Sequence, residues 1–149
     1  MPLKINLKKN QKIIINGAVL ENNNSRAVSF TLLNSTAILR DTEILTAEEA
    51  VTPASRVYYA LQCMYIIPES EIEHRKNFEA FLKDYEAAAP SSSELVKSIR
   101  EEVSAGSLYK GLRLVRQLIE HEGKVLNHGQ ITTDEELSAR ADGGESSAD

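Results

Sequence analysis

Apolar and polar residues alternate along the first forty positions with the period of two that is typical of β-strands. From Leu3 to Lys8 the apolar residues would lie on one face and Lys4, Asn6 and Lys8 on the other. Asn16 and Gly17 separate two apolar runs, and Asn-Gly favours a type I′ hairpin turn. The five predicted strands cover residues 3–8, 12–15, 18–20, 27–33 and 36–40.

From about residue 46 the apolar positions recur with helical spacing. Thr46 with Glu49 forms a predicted capping box, and Pro53 follows a threonine, which is typical of a helix start. Gly106 and Gly111 are interpreted as helix punctuation. Gly106 separates two short helices that should form an antiparallel hairpin, and Gly123 is the predicted end of the last one. The four predicted helices lie at about residues 53–67, 69–85, 95–105 and 107–122.

Segregation of strands and helices predicts an α+β fold, in which an antiparallel sheet of about five short strands is followed by about four helices. The predicted regions are a β region at residues 1–45, a helical region at residues 46–125 that packs on or beside it, and a flexible acidic tail at residues 126–149. Beyond about Thr132 the chain is polar, acidic and rich in small residues, so the tail is predicted to be disordered.

The formal net charge of -5 is carried entirely by the end of the chain. Residues 134–149 hold six acidic residues and one arginine, so the other 133 residues are neutral as a group. Within that neutral part, residues 1–26 carry four lysines and Arg26 against Glu21, a local charge of +4. Such a local excess of cations can attract phosphate even on an acidic protein.

The remaining composition argues against several other classes of protein. No signal peptide or membrane-spanning run is recognisable, so a cytoplasmic protein without a membrane partner is expected. Cys63 is the only cysteine and is predicted to be a buried thiol. The three histidines are far apart, and no Walker loop or nucleophile elbow is evident. The pairs Glu48–Glu49 and Glu101–Glu102 point to different sides of their helices, so no metal, cofactor or catalytic residue is predicted.

Four segments of the chain carry a resemblance to a known family. They are Met1–Lys8, Ile14–Asn22, Leu45–Ala50 followed by Thr52–Arg56, and Gly106–Arg113. In order and spacing these segments resemble the FlbT family of flagellar biosynthesis regulators, over roughly residues 1–123. The resemblance implies a post-transcriptional regulator that associates with the 5′ untranslated region of flagellin mRNA and controls its translation and decay. It also implies FlaF, a regulator of opposite effect, as a candidate partner.

Binding to RNA requires cations against phosphate and groups that read unpaired bases. The candidate RNA-binding residues are Lys4, Lys8, Lys9, Lys12, Arg26, Arg40 and Arg56. An alternative interpretation is a solvated strand face whose lysines discourage edge-to-edge pairing. Arg40 and Arg56 would bind phosphate or form ion pairs with Glu43, Glu48 or Glu49. Self-association is predicted because a homo-oligomer would duplicate a modest basic patch.

A second basic set lies on the last two helices and is interpreted as a solvated helical face. Its members are Lys97, Arg100, Lys110, Arg113 and Arg116. Tyr59 is the most plausible exposed aromatic, since Tyr58 and Tyr65 share an apolar helical face. The alternative function is a protein-interaction module in which the helical hairpin of residues 92–122 binds flagellin, FlaF or another flagellar protein.

Overall fold

The computed structural model describes the backbone of residues 2–140 and the side chains of residues 2–125. Within this part of the chain, five strands precede four α-helices, which confirms the predicted α+β class. The strands are β1 (Leu3–Leu7), β2 (Lys12–Ile15), β3 (Ala18–Glu21), β4 (Val28–Leu32) and β5 (Ile38–Arg40). The helices are α1 (Pro53–Ile66), α2 (Glu71–Ala88), α3 (Ser93–Ser104) and α4 (Leu108–Arg140).

The strands are all antiparallel, but they form two small sheets where the sequence predicted one. β1 pairs with β4, and β2 lies between β3 and β5. The division follows from β2, which is apolar on both faces. Ile13 packs against Ile5 and Leu7 of the β1–β4 sheet, whereas Ile14 and Leu39 face the helical core. The protein therefore has three layers, with the β3–β2–β5 sheet between the other sheet and the helices.

The helical layer is built around α1, which packs against α2 and α4. Val57 and Leu61 on α1 are fully buried, as is Phe78 on α2. Gly111 lies where α4 meets α1 and α3. A Cβ atom added there would be 2.9 Å from a methyl group of Val103 on α3 and 3.2 Å from a methyl group of Leu61 on α1. The interpretation of Gly111 as helix punctuation is wrong, because it is a close-packing position inside α4.

Several local sequence signals are confirmed by the backbone. Asn16 and Gly17 have φ values of 51° and 86°, as the predicted hairpin turn requires. Thr46 and Glu49 form the predicted capping box around a short 3₁₀ turn at Ala47–Glu49. Gly106, with φ of 86°, separates α3 from α4.

The end of α4 differs from the prediction, because the helix passes Gly123 and continues to Arg140. The expected boundary between helical region and tail at residue 126 thus falls within a helical backbone element. The prediction of disorder at residues 141–149 lies outside the described residues. Cys63 is buried, as expected, and burial raises the pKa of its thiol. None of the helices in the described part of the chain is long and apolar enough to cross a bilayer.

Candidate nucleic-acid interface

Five of the seven candidate cations meet at one end of the two sheets, at the end of β1 and the start of β2. We call this group the basic end. Its members, all exposed, are Lys8, Lys9, Lys12, Arg26 and Arg40. They come from four different segments of the chain, so their proximity depends on how the strands pair.

The turn between β1 and β2 holds the lysines of the basic end. Gln11 closes this turn: its N–H donates to the Lys8 carbonyl at 3.0 Å, and its side-chain oxygen accepts from the Lys8 N–H at 2.8 Å. Asn10 has φ of 64°, a value that asparagine tolerates better than most residues. Lys12 then begins β2 directly after the turn.

Two contacts bring the arginines to these lysines. The buried amide of Asn22 donates to the carbonyls of Leu7 and Arg26, each at 2.9 Å, which ties the loop before β4 to the end of β1. Pairing of β2 with β5 sets Arg40 opposite Ile13, beside Lys12. The Asn22 side chain thus has a structural role, because it joins two segments that carry candidate cations.

A cleft of about 250 Å³ opens between the two sheets at the basic end. Lys8 and Arg40 lie on its two sides. The complete lining is Ile5, Asn6, Leu7, Lys8, Gln11, Ile13, Arg40, Asp41 and Thr42. A second cleft, of about 240 Å³, continues on the other side of Arg40 and is lined in part by Tyr65 and Tyr109. Cations and aromatic rings therefore line adjoining depressions on one surface.

Three acidic residues lie beside the basic end. Glu21 is directly opposite Lys12 in the pairing of β2 with β3, and hydrogen bonds hold the other two, Asp41 and Glu43, in place. Asp41 accepts from the Lys12 main-chain N–H at 2.7 Å. Glu43 accepts from the Arg40 main-chain N–H at 2.9 Å and from the Tyr109 hydroxyl. All three carboxylates lower the local positive potential. Asp41 and Glu43 engage main-chain N–H groups of the basic end and leave the guanidinium of Arg40 exposed.

The other two candidate cations lie elsewhere. Lys4 is on the outer face of the β1–β4 sheet, opposite Thr31 and further along β1. Arg56 is exposed in the first turn of α1, in the helical layer. In the described part of the chain the ion pairs are Arg75–Glu71, Arg100–Glu79 and Arg100–Glu86, so the suggested pairing of Arg40 or Arg56 with glutamates is not observed.

The segment after β5 is anchored by side chains that sequence reasoning did not assign to this region. We call residues 41–45 the connector. Arg116 on α4 donates to the Thr42 carbonyl and lies 5.5 Å from the ring centroid of Tyr58, whose hydroxyl donates to the Glu43 carbonyl at 2.5 Å. Arg116 is exposed, as expected for a residue on a solvated helical face, and these contacts also join α4 to the connector. The contact has no local sequence signal, because Thr42 and Arg116 are 74 positions apart.

Gln62 completes the anchoring of the connector. Its amide oxygen accepts from the Leu45 N–H at 2.9 Å, and its amide nitrogen donates to the Leu45 carbonyl at 2.8 Å. The side chain is buried, and it satisfies both main-chain groups of one residue. The connector begins directly after Arg40, so these contacts help to fix the position of that arginine.

Ionisation of Tyr109 provides a test of the contact between α4 and the connector. The hydrogen bond to Glu43, together with burial, raises the pKa of Tyr109 from 10.0 to about 12. Because the folded-state pKa is the higher one, the stability that the neutral phenol contributes is complete below pH 10 and is lost as the pH rises towards 12. The free energy of unfolding in urea should therefore fall more steeply over this interval than it does in Tyr109→Phe. Equal slopes would contradict the contact.

The described residues define a small α+β protein whose exposed chemistry is a cationic cleft beside tyrosines. No group of three or more potential metal-ligating side chains occurs among them. The chain belongs to the FlbT family, described as "Flagellar protein FlbT", which matches residues 3–126.

Individual relatives extend over nearly the same part of the chain. It is 36% identical to the probable flagellum biosynthesis repressor protein FlbT 1 of Bradyrhizobium diazoefficiens, over 89% of this chain and 90% of that protein. It is 34% identical to the flagellum biosynthesis repressor protein FlbT of Caulobacter vibrioides, over 86% of this chain and 92% of that protein. No solved structure matches the chain.

Proposed function

We propose that this protein is a cytoplasmic repressor of flagellum biosynthesis that binds the 5′ untranslated region of flagellin mRNA through the basic end and thereby controls translation and decay. The relatives named as flagellum biosynthesis repressors support the regulatory part. The observation that supports RNA contact is a cleft lined by Lys8 and Arg40 at the end of the sheets where three further exposed cations lie.

The geometry suits an unpaired strand better than a duplex. Lys8, Lys12 and Arg40 would contact successive phosphates along the edge of the two sheets, because phosphate contact needs positive charge without sequence-specific shape. Arg40 borders both clefts, so the RNA strand would continue from the first cleft towards Tyr109 in the second. Unpaired bases stack on aromatic side chains, and Tyr109 is exposed enough to offer part of its ring.

Repression by this protein requires no chemistry of its own. A protein bound to the leader blocks ribosome entry, and a message without ribosomes is open to cellular nucleases. The net charge of -5 is carried by the acidic residues after residue 133, whereas residues 1–133 are neutral as a group and residues 1–26 carry +4.

The test is a salt titration of binding between purified protein and flagellin leader RNA. The variant Lys8→Gln/Lys9→Gln/Lys12→Gln should bind more weakly at low salt, and its slope of log affinity against log salt concentration should be shallower by about 2, or about 0.7 for each lost phosphate contact with a single strand. Fluorescence anisotropy measures both quantities.

A matched control removes the same charge from the helical layer. Lys76, Lys83 and Lys97 are exposed on α2 and α3, so changing all three to glutamine should leave the salt slope unchanged. Equal weakening by both triple variants would show a diffuse electrostatic effect and would exclude the basic end as the site.

A second candidate function is protein binding by α3 and α4. Between these helices a cleft of about 250 Å³ carries mixed charges beside an apolar side chain, a composition that suits a protein partner. It is lined by Glu102, Lys110, Arg113, Leu114 and Gln117. Absence of leader binding at low salt, together with tight binding of FlaF or flagellin that Arg113→Glu abolishes, would support this function in place of the first.

A further inference from the structure

The outer edge of β3 is exposed along its whole length. β3 is the edge strand of the β3–β2–β5 sheet, and all four of its residues are exposed. Val19 and Leu20 retain 61% and 42% of their accessible surface, which is high for apolar side chains in a strand. An exposed apolar edge strand is a template for pairing with another strand.

The register of the hairpin shows which main-chain groups are free to pair. A two-residue turn makes Ile15 and Ala18 the first hydrogen-bonded pair, and bonded pairs then alternate along the ladder. The N–H and C=O groups of Val19 and Glu21 therefore point away from β2. Consistent with this alternation, Ile14 pairs with Leu39 on the other side of β2.

At the opposite edge of the same sheet, formed by β5, side chains bind the outward N–H groups. On β5, the outward N–H of Ile38 donates to the Tyr65 hydroxyl at 3.3 Å, and the outward N–H of Arg40 donates to Glu43 at 2.9 Å. β3 contains no proline or bulge, and its one charged residue, Glu21, is the last of the strand, so the usual devices that keep an edge from pairing do not cover Ala18–Leu20. One edge of the sheet is covered by side chains, and the other is left open.

We infer that β3 pairs with β3 of a second copy of this chain, in antiparallel orientation about a twofold axis at Val19. Outward-pointing residues must face outward-pointing residues, so Val19 can oppose Val19 or Glu21 of the other copy. The second register would set the apolar side chain of Val19 opposite the charged side chain of Glu21 on both sides of the axis. The Val19-to-Val19 register sets two apolar side chains against each other instead.

The sequence of β3 is complementary to itself in this register. Ala18 lies opposite Leu20 of the second copy, so a small side chain meets a large one. Glu21 lies opposite Gly17, which keeps the two acidic groups apart. The second copy fits for these reasons, and pairing would join the two three-stranded sheets into one sheet of six strands.

The dimer should be weak and should not depend on RNA. Stable interfaces bury about 1,200–2,000 Å², and two paired strands of this length bury less, so association at micromolar or higher concentration is expected. The twofold axis sets the two basic ends at opposite margins of the six-stranded sheet. Dimerisation therefore adds a second RNA contact without covering the first.

Sedimentation velocity of the full chain between about 1 μM and about 500 μM tests the inference. The wild-type protein should shift from monomer towards dimer. Val19→Lys should raise the dissociation constant at least about 10-fold, because two like charges would face each other on the axis. Leu33→Lys is the matched control, since Leu33 is a 78% exposed apolar residue outside β3 and should leave the dissociation constant unchanged.

Cross-linking tests the register itself. Hydrogen-bonded antiparallel pairs have Cα atoms about 5.5 Å apart, within the range that a disulfide spans. Val19→Cys should therefore form a covalent dimer under mild oxidation much faster than Leu33→Cys, while the native Cys63 is buried. A monomer throughout the concentration range, equal effects of the two lysine variants, or equal cross-linking rates would overturn the inference.

Discussion

Replacement of Gly111 by leucine should destabilise the protein by about 3 kcal/mol, as expected when a side chain is forced into a packed core. Even a single Cβ atom at this position would lie 2.9 Å from the branched side chain of Val103 and 3.2 Å from Leu61. Val103 is buried and stiff at χ1, so α4 would have to move away from both α1 and α3. Urea unfolding followed by far-UV circular dichroism measures the loss.

Gly123 provides a control on the same helix, because its substitution should raise the free energy of unfolding rather than lower it. Nothing lies within 4 Å of a Cβ atom added there. Gly123→Ala should therefore stabilise the protein by about 0.5–1 kcal/mol, through helix propensity alone. If Gly111→Leu left the unfolding midpoint unchanged, the close contact of α4 with α1 and α3 would be refuted.

Replacement of Gln62 by leucine should cost about 2–4 kcal/mol and should also weaken binding of leader RNA. The leucine leaves both main-chain groups of Leu45 without their partners, and each unsatisfied group costs about 1–3 kcal/mol. Release of the connector would also loosen Arg40, which directly precedes it. Denaturant unfolding and anisotropy with leader RNA measure the two effects separately.

Gln117→Leu is the matched control for this substitution. Gln117 is exposed on α4, so the same change should alter stability by no more than about 0.5 kcal/mol. A stability loss in Gln62→Leu with unchanged RNA affinity, measured where the variant is folded, would show that the connector does not position the RNA-binding surface.

The local elements of this protein were readable from the sequence because they depend on short-range physics. Alternation of apolar and polar residues indicated β1, and the positive φ values at Asn16 and Gly17 follow from the Asn-Gly turn. The capping box at Thr46 and the separation of α3 from α4 at Gly106 are equally local. These signals involve residues within a few positions of one another, so the rest of the fold does not alter them.

The sequence predictions that the structure corrects concern contacts between residues that are far apart in the chain. Ile13 and Ile14 form one apolar run, but only the folded protein shows that each faces a different core and that the strands divide into two sheets. Gly111 looked like punctuation because a packing glycine and a helix-ending glycine are identical in sequence. The exposed Arg116 was expected on a solvated face, but its contact with the Thr42 carbonyl was not predicted, because the two residues are 74 positions apart.

The sequence alone determined the α+β class, the family resemblance and the concentration of positive charge before residue 27. Tertiary structure decided which of the seven candidate cations lie near one another. Pairing of β2 with β5 brings Arg40 to the lysines, and the Asn22 amide brings Arg26, whereas Arg56 remains on the helical layer. The physical reason is that composition and periodicity report each residue's own environment, while a binding surface depends on which strands pair and in what register.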